Sequence, residues 1–320
     1  MGHSRFQASW SKVLVGKKDT AAGTRSVLLT YLQEIRPHQW VKNLLVFVPM
    51  LAAHQLDMAT FTQSLIAFAS FCLIASSVYV LNDLMDIEVD RAHPRKRFRP
   101  IASGLVPLAH GRWMAAALLV AGFTLAIWTS LLLALVAAGY YAATLAYSLV
   151  IKRQPILDIW LLAGLYTTRI LAGAAATEIG LSVWLLAFSG FFFSALAAVK
   201  RQAELVDGLS RGKSAAAGRG YRVEDLPLIS QIGISAGYVA VLVMALYIES
   251  HTVAELYPFR AALLAICPIL FFWITRMVMV AHRGNMHDDP IVFAFRDRAS
   301  QICLVAIGIS VWVAASAPFR

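Results

Sequence analysis

Long apolar segments, separated by short polar ones, constrain this chain more than any other feature of its sequence. They recur at residues 44–55, 61–82, 113–128, 131–150, 156–176, 181–199, 228–248, 258–280 and 301–317. A helix needs roughly 17 to 25 apolar residues to cross a bilayer; most segments qualify, and the first must extend back through Trp40 or tilt. Only 14% of the 320 residues are charged, against about 25% in a soluble domain. The sequence therefore predicts an all-α polytopic membrane protein, a bundle of about nine transmembrane helices.

Lysine and arginine side chains are segregated between alternate connections. Of the 28 bases, 25 precede the first segment or lie near or beyond the inner end of the second, fourth, sixth or eighth, while Arg169, Arg260 and Arg320 lie elsewhere. Because basic connections stay on the cytoplasmic side, we expect a cytoplasmic amino terminus and an outer carboxyl terminus. This placement explains the net charge of +10 without a nucleic-acid partner. We divide the chain into a polar basic tail at 1–30 and one transmembrane domain at 31–320.

The second apolar segment ends in an acidic run, NDLMDIEVD, which begins at Asn82. On a helix Asp83, Asp86 and Asp90 share one face because of their i, i+3, i+7 spacing. Their repulsion at the mouth of an apolar bundle requires a cation, and oxygen ligands favour Mg²⁺ bound together with substrate phosphates. The bases at 95–99 can hold the same phosphates. The run predicts a magnesium and phosphate site at the cytoplasmic face.

Further basic residues lie at or inside the same boundary. Arg169 is near the middle of the fifth segment, and an ionisable side chain at that depth usually faces a polar cavity or a partner. A contact with a phosphate or ribose hydroxyl and a structural pair with Glu178, Asp158 or another helix both remain open. Lys42 and Lys152 lie at the inner boundary, where interfacial anchoring is the alternative to substrate contact.

The acidic run resembles the first aspartate-rich motif of the UbiA superfamily of intramembrane prenyltransferases. The resemblance is strongest to its decaprenyl-phosphate phosphoribosyltransferase branch and covers residues 30–320. It rests on RPHQWVKN at 36–43, SVY at 77–79, KRFRPIA at 96–102, RILAG at 169–173, KRQAEL at 200–205 and RDR at 296–298. It implies an integral protein of the bacterial inner membrane.

The chain departs from the superfamily where a second aspartate-rich motif usually follows the sixth helix. Here Lys200 and Arg201 precede the acids Glu204 and Asp207. This substitution puts a second magnesium cluster in doubt and favours direct contact between the bases and a phosphate. Anchoring at a helix end is the alternative.

The resemblance implies a Mg²⁺-dependent transferase that moves the 5-phosphoribosyl group of phosphoribosyl pyrophosphate onto a polyprenyl phosphate. Asp83, Asp86 and Asp90 would act as catalytic metal ligands on the departing diphosphate. Lys42, Arg95 and Arg99 would bind the pyrophosphate, and Lys200, Arg201 and Arg169 the 5-phosphate or lipid phosphate. The full set of expected substrate-binding residues is Lys42, Asn43, Asn82, Arg95, Lys96, Arg99, Tyr147, Lys152, Arg169, Lys200, Arg201 and Glu204.

Two other functions fit parts of the pattern. An aromatic prenyltransferase would share the magnesium cluster but should have acids in place of Lys200 and Arg201. A lipid or ion carrier could also place charges in the membrane, although carriers often break their helices near the midplane, whereas these motifs converge on one face. Membrane lipids are expected partners, and a homo-oligomer remains open.

Overall fold

The computed structural model describes residues 22–92, 96–212, 219–286 and 289–316, and the regular elements of these ranges are helices. The α-helices are α1 (Ala22–Glu34), α2 (Val48–Ala52), α3 (Met58–Met85), α4 (Ile87–Ala92), α5 (Leu108–Thr129), α6 (Leu131–Leu149), α7 (Leu157–Thr177), α8 (Val183–Ser210), α9 (Leu226–Ile248), α10 (His251–Leu256), α11 (Ile266–His282), α12 (Pro290–Arg296) and α13 (Arg298–Ser316). A long 3₁₀-helix, η1 (Pro37–Phe47), connects α1 to α2.

Eight helical stretches of the described chain are long and apolar enough to cross a membrane, which confirms the all-helical membrane bundle. They match the second to ninth apolar segments predicted from sequence. They are Met58–Met85, Leu108–Thr129, Leu131–Leu149, Leu157–Thr177, Val183–Ser210, Val223–Ile248, Arg260–His282 and Arg298–Ser316.

The first predicted segment differs, because η1 and α2 together replace one regular α-helix between Pro37 and Ala52. A 3₁₀-helix rises about 2.0 Å per residue, against 1.5 Å in an α-helix. These 16 residues therefore extend roughly 30 Å, about the thickness of the hydrocarbon core. The stretch has fewer residues than a typical spanning α-helix but a similar length. The count of nine transmembrane helices stays a prediction.

Helix α7 lies between two apolar clusters that form the core. One cluster joins it to α3, α5, α6 and η1, and the other joins it to α8 and α11. The first includes Val46, Phe71, Ala126, Leu133 and Ala172. The second includes Tyr166, Ile170, Phe193, Trp273 and Met277. The shared helix brings residues from both halves of the bundle to one place.

A glycine allows η1 to approach α7 closely. A Cβ atom at Gly173 would lie 1.9 Å from the carbonyl oxygen of Val46, so only hydrogen fits there. The close approach explains why a glycine stands four residues after Arg169, and it sets the residues of η1 beside the buried part of α7.

Candidate active site

Two acidic side chains at the end of α3 and in α4 are paired with arginines. Arg36 Nη2 lies 2.6 Å from Asp83 Oδ1 and 2.5 Å from Oδ2. Arg99 Nη1 joins both carboxylates, at 2.9 Å from Asp83 Oδ1 and 2.5 Å from Asp90 Oδ2. We call Asp83, Asp90, Arg36 and Arg99 the acidic corner. The guanidinium groups of Arg36 and Arg99 thus contact the carboxylates beside which the sequence predicts a metal ion and substrate phosphates.

Asp86 lies apart from the other two carboxylates. Helix α3 ends at Met85, and Asp86 takes the C-cap position with φ −94° and ψ 13°. Its side chain is 40% exposed and lies 3.6 Å from Lys152 Nζ. Because the helix is interrupted there, the single face predicted from the spacing is not continuous, and Asp86 meets Lys152 instead of Arg99.

Glu34, at the end of α1, adds a carboxyl group that sequence reasoning missed. Its side chain is 1% exposed. Burial, followed by repulsion from Asp83, raises the pKa of Glu34 to about 7, while the nearby charge of Arg36 acts in the opposite direction. Arg36 itself adopts a left-handed conformation with φ 52°, which is uncommon for a non-glycine residue.

A second charged cluster, the lysine pair, joins η1, α8 and the start of α12. Lys42 Nζ lies 2.9 Å and Lys200 Nζ 3.0 Å from Asp289 Oδ2. The hydroxyl of Tyr166 donates to the same carboxylate at 3.2 Å. Burial alone would raise the pKa of Asp289, but the charges of Lys42 and Lys200 outweigh it and hold that pKa well below its usual range.

Arg201 lies in a third cluster, where each of its three guanidinium nitrogens contacts a different side chain. Its side chain is 1% exposed. Its Nε lies 2.7 Å from Asp158 Oδ2, its Nη1 pairs with Glu204, and its Nη2 donates to Tyr147 Oη at 2.8 Å. Arg219 also donates to Tyr147, at 2.7 Å. Two adjacent bases of one motif thus have different surroundings. Lys200 belongs to the lysine pair and contacts Asp289, whereas Arg201 links α8 to α7 and α6.

Arg169 contacts neutral groups. It donates to Asn43 Oδ1 at 2.8 Å and to Tyr140 Oη at 2.9 Å, and it also bonds the carbonyl of Leu165. These partners differ from Glu178 and Asp158, the acids considered from sequence. Arg169 instead links α7 to η1 and α6, and it holds Asn43 one residue away from Lys42.

The other predicted site residues surround the acidic corner. Lys96 Nζ lies 3.7 Å from Asp90 Oδ1. Asn82 is partly buried, and its Oδ1 accepts no hydrogen bond. Arg95 lies outside the described residues. The structure therefore brings most of the predicted residues to one end of the bundle, divided among three clusters.

The donor atoms near the acidic corner fit a magnesium ion completed by substrate oxygens. Within the described ranges, no three acidic, histidine or cysteine side chains lie close enough together to hold a metal ion. Mg²⁺, however, commonly binds one or two carboxylates and takes its other ligands from phosphates and water. Asn82 Oδ1 and Asp90 Oδ1 are both buried and accept no hydrogen bond. Oxygen donors are thus available beside Asp83.

Two apolar cavities extend into the bundle beyond the lysine pair. The nearer one, about 280 Å³, lies among Leu45, Phe193, Trp273, Ile291 and Leu304. The farther one, about 470 Å³, lies toward the opposite ends of the helices, and both are lined by Leu270 and Ile307. Leu45 and Ile291, which line the nearer cavity, lie three and two positions along the chain from Lys42 and Asp289. A charged cluster next to an apolar cavity can hold an amphiphile with a polar head and a long hydrocarbon chain.

Sequence reasoning missed Asp289 and Tyr166. A signal for Asp289 was present, since it precedes Pro290 and such an Asp-Pro pair is typical of a helix start. The pair marks a turn but does not show which bases lie opposite. Tyr166 carries no signal beyond its place one turn before Arg169.

The fold and the charged site together define a membrane-embedded transferase. The model of the UbiA prenyltransferase family matches residues 43–295, and the chain belongs to that family. Nodulation protein NoeC of Azorhizobium caulinodans is 38% identical over 281 residues, which cover 88% of this chain and 92% of that protein.

Two further relatives bear on reaction and fold. The decaprenyl-phosphate phosphoribosyltransferase of Mycolicibacterium smegmatis is 42% identical over 191 residues, covering 58% of this chain and 60% of that enzyme. A UbiA homolog from Archaeoglobus fulgidus, solved bound to GPP and Mg²⁺, superposes with a TM-score of 0.67 at 15% identity, covering 89% of this chain and 100% of that one. At that identity the likeness shows the fold alone.

Proposed function

We propose that the protein transfers the 5-phosphoribosyl group of phosphoribosyl pyrophosphate to a polyprenyl phosphate and releases diphosphate. One observation carries the proposal: Lys42 and Lys200 converge on a buried carboxylate beside the apolar cavity, in a cluster distinct from the acidic corner. Two phosphorylated substrates need two phosphate-binding positions, whereas a prenyl diphosphate and an aromatic acceptor without a phosphate need one. The reaction named for the Mycolicibacterium relative supports the same pairing.

The acidic corner is the proposed position of the donor's diphosphate. Arg36 and Arg99 present planar guanidinium groups there, which suit phosphate oxygens. As the bond between ribose C1 and the diphosphate oxygen breaks, negative charge grows on the departing group, and fixed cations stabilise that charge. Asp83 and Asp90, with Asn82, would hold Mg²⁺, which when bound adds a Lewis acid on the diphosphate. Asp86, which lies apart from them, is proposed as a further ligand from the sequence.

The lysine pair is the proposed position of the acceptor phosphate. A phosphate oxygen of the lipid forms the new bond to ribose C1, and because that oxygen is already anionic, no strong general base is needed. The apolar cavities beyond Leu45 would hold the first isoprenoid units. Polyprenyl phosphate thus lies with its head at the lysines and its chain among the helices.

The remaining predicted residues have supporting positions in this proposal. Arg169 orients Asn43, and Arg201 braces Tyr147 and Glu204. Lys96 and Lys152 extend the basic rim near Asp90 and Asp86, and Arg95 is proposed for that rim from sequence. We further propose that residues 31–320 form one domain in a bacterial inner membrane, with the site facing the cytoplasm, where a soluble sugar phosphate is accessible.

Product mass distinguishes the two transferase reactions. The full chain, purified in detergent with Mg²⁺, is given phosphoribosyl pyrophosphate and a polyprenyl phosphate, or a prenyl diphosphate and an aromatic acid. We expect a lipid heavier by one phosphoribosyl group in the first mixture, absent with Asp83→Asn. A prenylated aromatic product in the second mixture, with no modified lipid in the first, would overturn the proposal.

A further inference from the structure

Among the residues that the structure describes, the charges around the lysine pair do not balance. Five bases, Lys42, Arg169, Lys200, Arg201 and Arg219, lie in these linked clusters with three carboxylates, Asp158, Glu204 and Asp289. Arg169 donates its hydrogen bonds to neutral groups, the side chains of Asn43 and Tyr140 and the carbonyl of Leu165. Excess positive charge in a site of low polarity is costly unless an anion joins it. The excess suits a phosphate group.

Asp289 already lies where such an anion would sit. Its side chain is 7% exposed, and its Oδ2 lies about equally far from the two ammonium groups, at 2.9 and 3.0 Å. Because its pKa is held well below the usual range, the carboxylate stays charged at any working pH. Protonation would therefore not free the lysines, whereas exchange for another anion would.

The element that carries Asp289 also lines the apolar cavity. Asp289 caps α12 by accepting from the Ile291 amide at 3.2 Å, and the side chain of Ile291 faces the cavity of about 280 Å³. On η1, Lys42 and Leu45 are three residues apart and share a face of the 3₁₀-helix, and Leu45 lines the same cavity. A lipid with its chain in this cavity and its head at the lysines would thus contact both η1 and the start of α12.

We propose that Lys42 and Lys200 bind the phosphate of the lipid acceptor, and that Asp289 is an internal anion which occupies this subsite and is displaced by that phosphate. The inference rests on the proposed function. It makes Asp289 a specificity-determining residue: a lipid phosphate carries enough charge to replace the carboxylate, whereas the corresponding alcohol does not.

Binding of farnesyl phosphate to the full chain in detergent, without donor, tests the inference. Asp289→Asn keeps a side chain that can cap α12 but removes the competing charge, so we expect its dissociation constant to fall about tenfold or more. Lys42→Met should raise the constant by a similar factor. Farnesol should bind wild type and Asp289→Asn equally. The matched control is Asp297→Asn, which makes the same change at the cap of α13, where Asp297 pairs with Arg276; its affinity should equal that of wild type.

Weaker or unchanged binding by Asp289→Asn would overturn the inference and make Asp289 a fixed brace for the lysines. If this variant does not fold, hydrogen exchange of the wild type decides: farnesyl phosphate should speed exchange at the Ile291 amide relative to farnesol, and equal exchange would refute displacement. The proposed function can fail while this inference holds. Tighter binding by Asp289→Asn together with a prenylated aromatic product would leave the subsite standing and remove the phosphoribosyl reaction.

Discussion

Arg201 and Lys200 are neighbours in sequence, yet the structure gives them different tasks. Arg201 pairs with Asp158, which is completely buried, and with Glu204. Replacement by alanine leaves a buried carboxylate without its cation, and such a loss costs about 3 to 5 kcal/mol of unfolding free energy. We expect Arg201→Ala to lower the melting temperature in detergent strongly, and Arg201→Lys to restore part of it.

Arg211→Ala is the matched control for that change. Arg211 pairs with Asp207 near the end of the same helix, on an exposed surface, where a pair contributes about 1 kcal/mol or less. Its melting temperature should stay close to that of wild type. An Arg201→Ala protein as stable as the control, but with a raised Michaelis constant for a phosphorylated substrate, would show that Arg201 contacts substrate instead.

The carboxylates of the acidic run carry the second prediction. Asp83→Asn or Asp86→Asn should lower turnover about 10²-fold or more, because each removes a charge and a potential metal ligand while the amide keeps the shape. Glu88→Gln is the control in the same run, since the Glu88 side chain is 83% exposed and pairs only with Arg91 in the described structure. Turnover at several Mg²⁺ concentrations measures the effect, and near wild-type turnover of both variants would refute the metal site.

Residue spacing predicted the acidic run and its bases but not how they pair. Asp83 meets Arg36, 47 positions earlier, and Asp289 meets Lys200, 89 positions earlier. Such contacts depend on how the helices pack, which local periodicity does not contain. The sequence therefore identified most of the bases and missed Asp289, whose role depends on its partners.

At the scale of elements, apolar length located the spanning helices well because length and composition are local properties. The prediction was less accurate for η1, which is a 3₁₀-helix and packs closely on α7 at Gly173. It also missed the interruption at Asp86, where α3 ends and α4 begins. Helix ends and helix type depend on neighbouring elements, so they follow less directly from composition.

The contact at Gly173 gives a prediction for the α7 and η1 interface. Gly173→Ala places a methyl group 1.9 Å from a backbone carbonyl that cannot turn aside, so η1 must shift together with Lys42 and Asn43. We expect a lower melting temperature and a loss of turnover. Gly164→Ala is the control on the same helix, since a Cβ there meets nothing within 4 Å; alanine should stabilise α7 by about 0.5 to 1 kcal/mol. Equal behaviour of the two variants would contradict the close approach.

The whole molecule is oriented by its charge, with 25 of 28 bases expected on one side. A cysteine placed within 208–220, in a background lacking Cys72, Cys267 and Cys303, should be labelled by an impermeant reagent only from the cytoplasmic side. A cysteine within 250–256 should be labelled only from outside. The reverse pattern would contradict the orientation and separate the basic clusters from a cytoplasmic sugar phosphate.

The fate of the donor's phosphorus atoms tests phosphoribosyl transfer most directly. If the bond at ribose C1 breaks and the lipid phosphate takes the sugar, radioactive phosphorus in the 5-phosphate of phosphoribosyl pyrophosphate must enter the lipid fraction. The same label in the β-phosphate must stay in water as diphosphate. We predict this division, and we expect neither lipid label nor released diphosphate with Asp83→Asn. Label from the β-phosphate in the lipid, or no lipid label from the 5-phosphate, would contradict the proposed reaction.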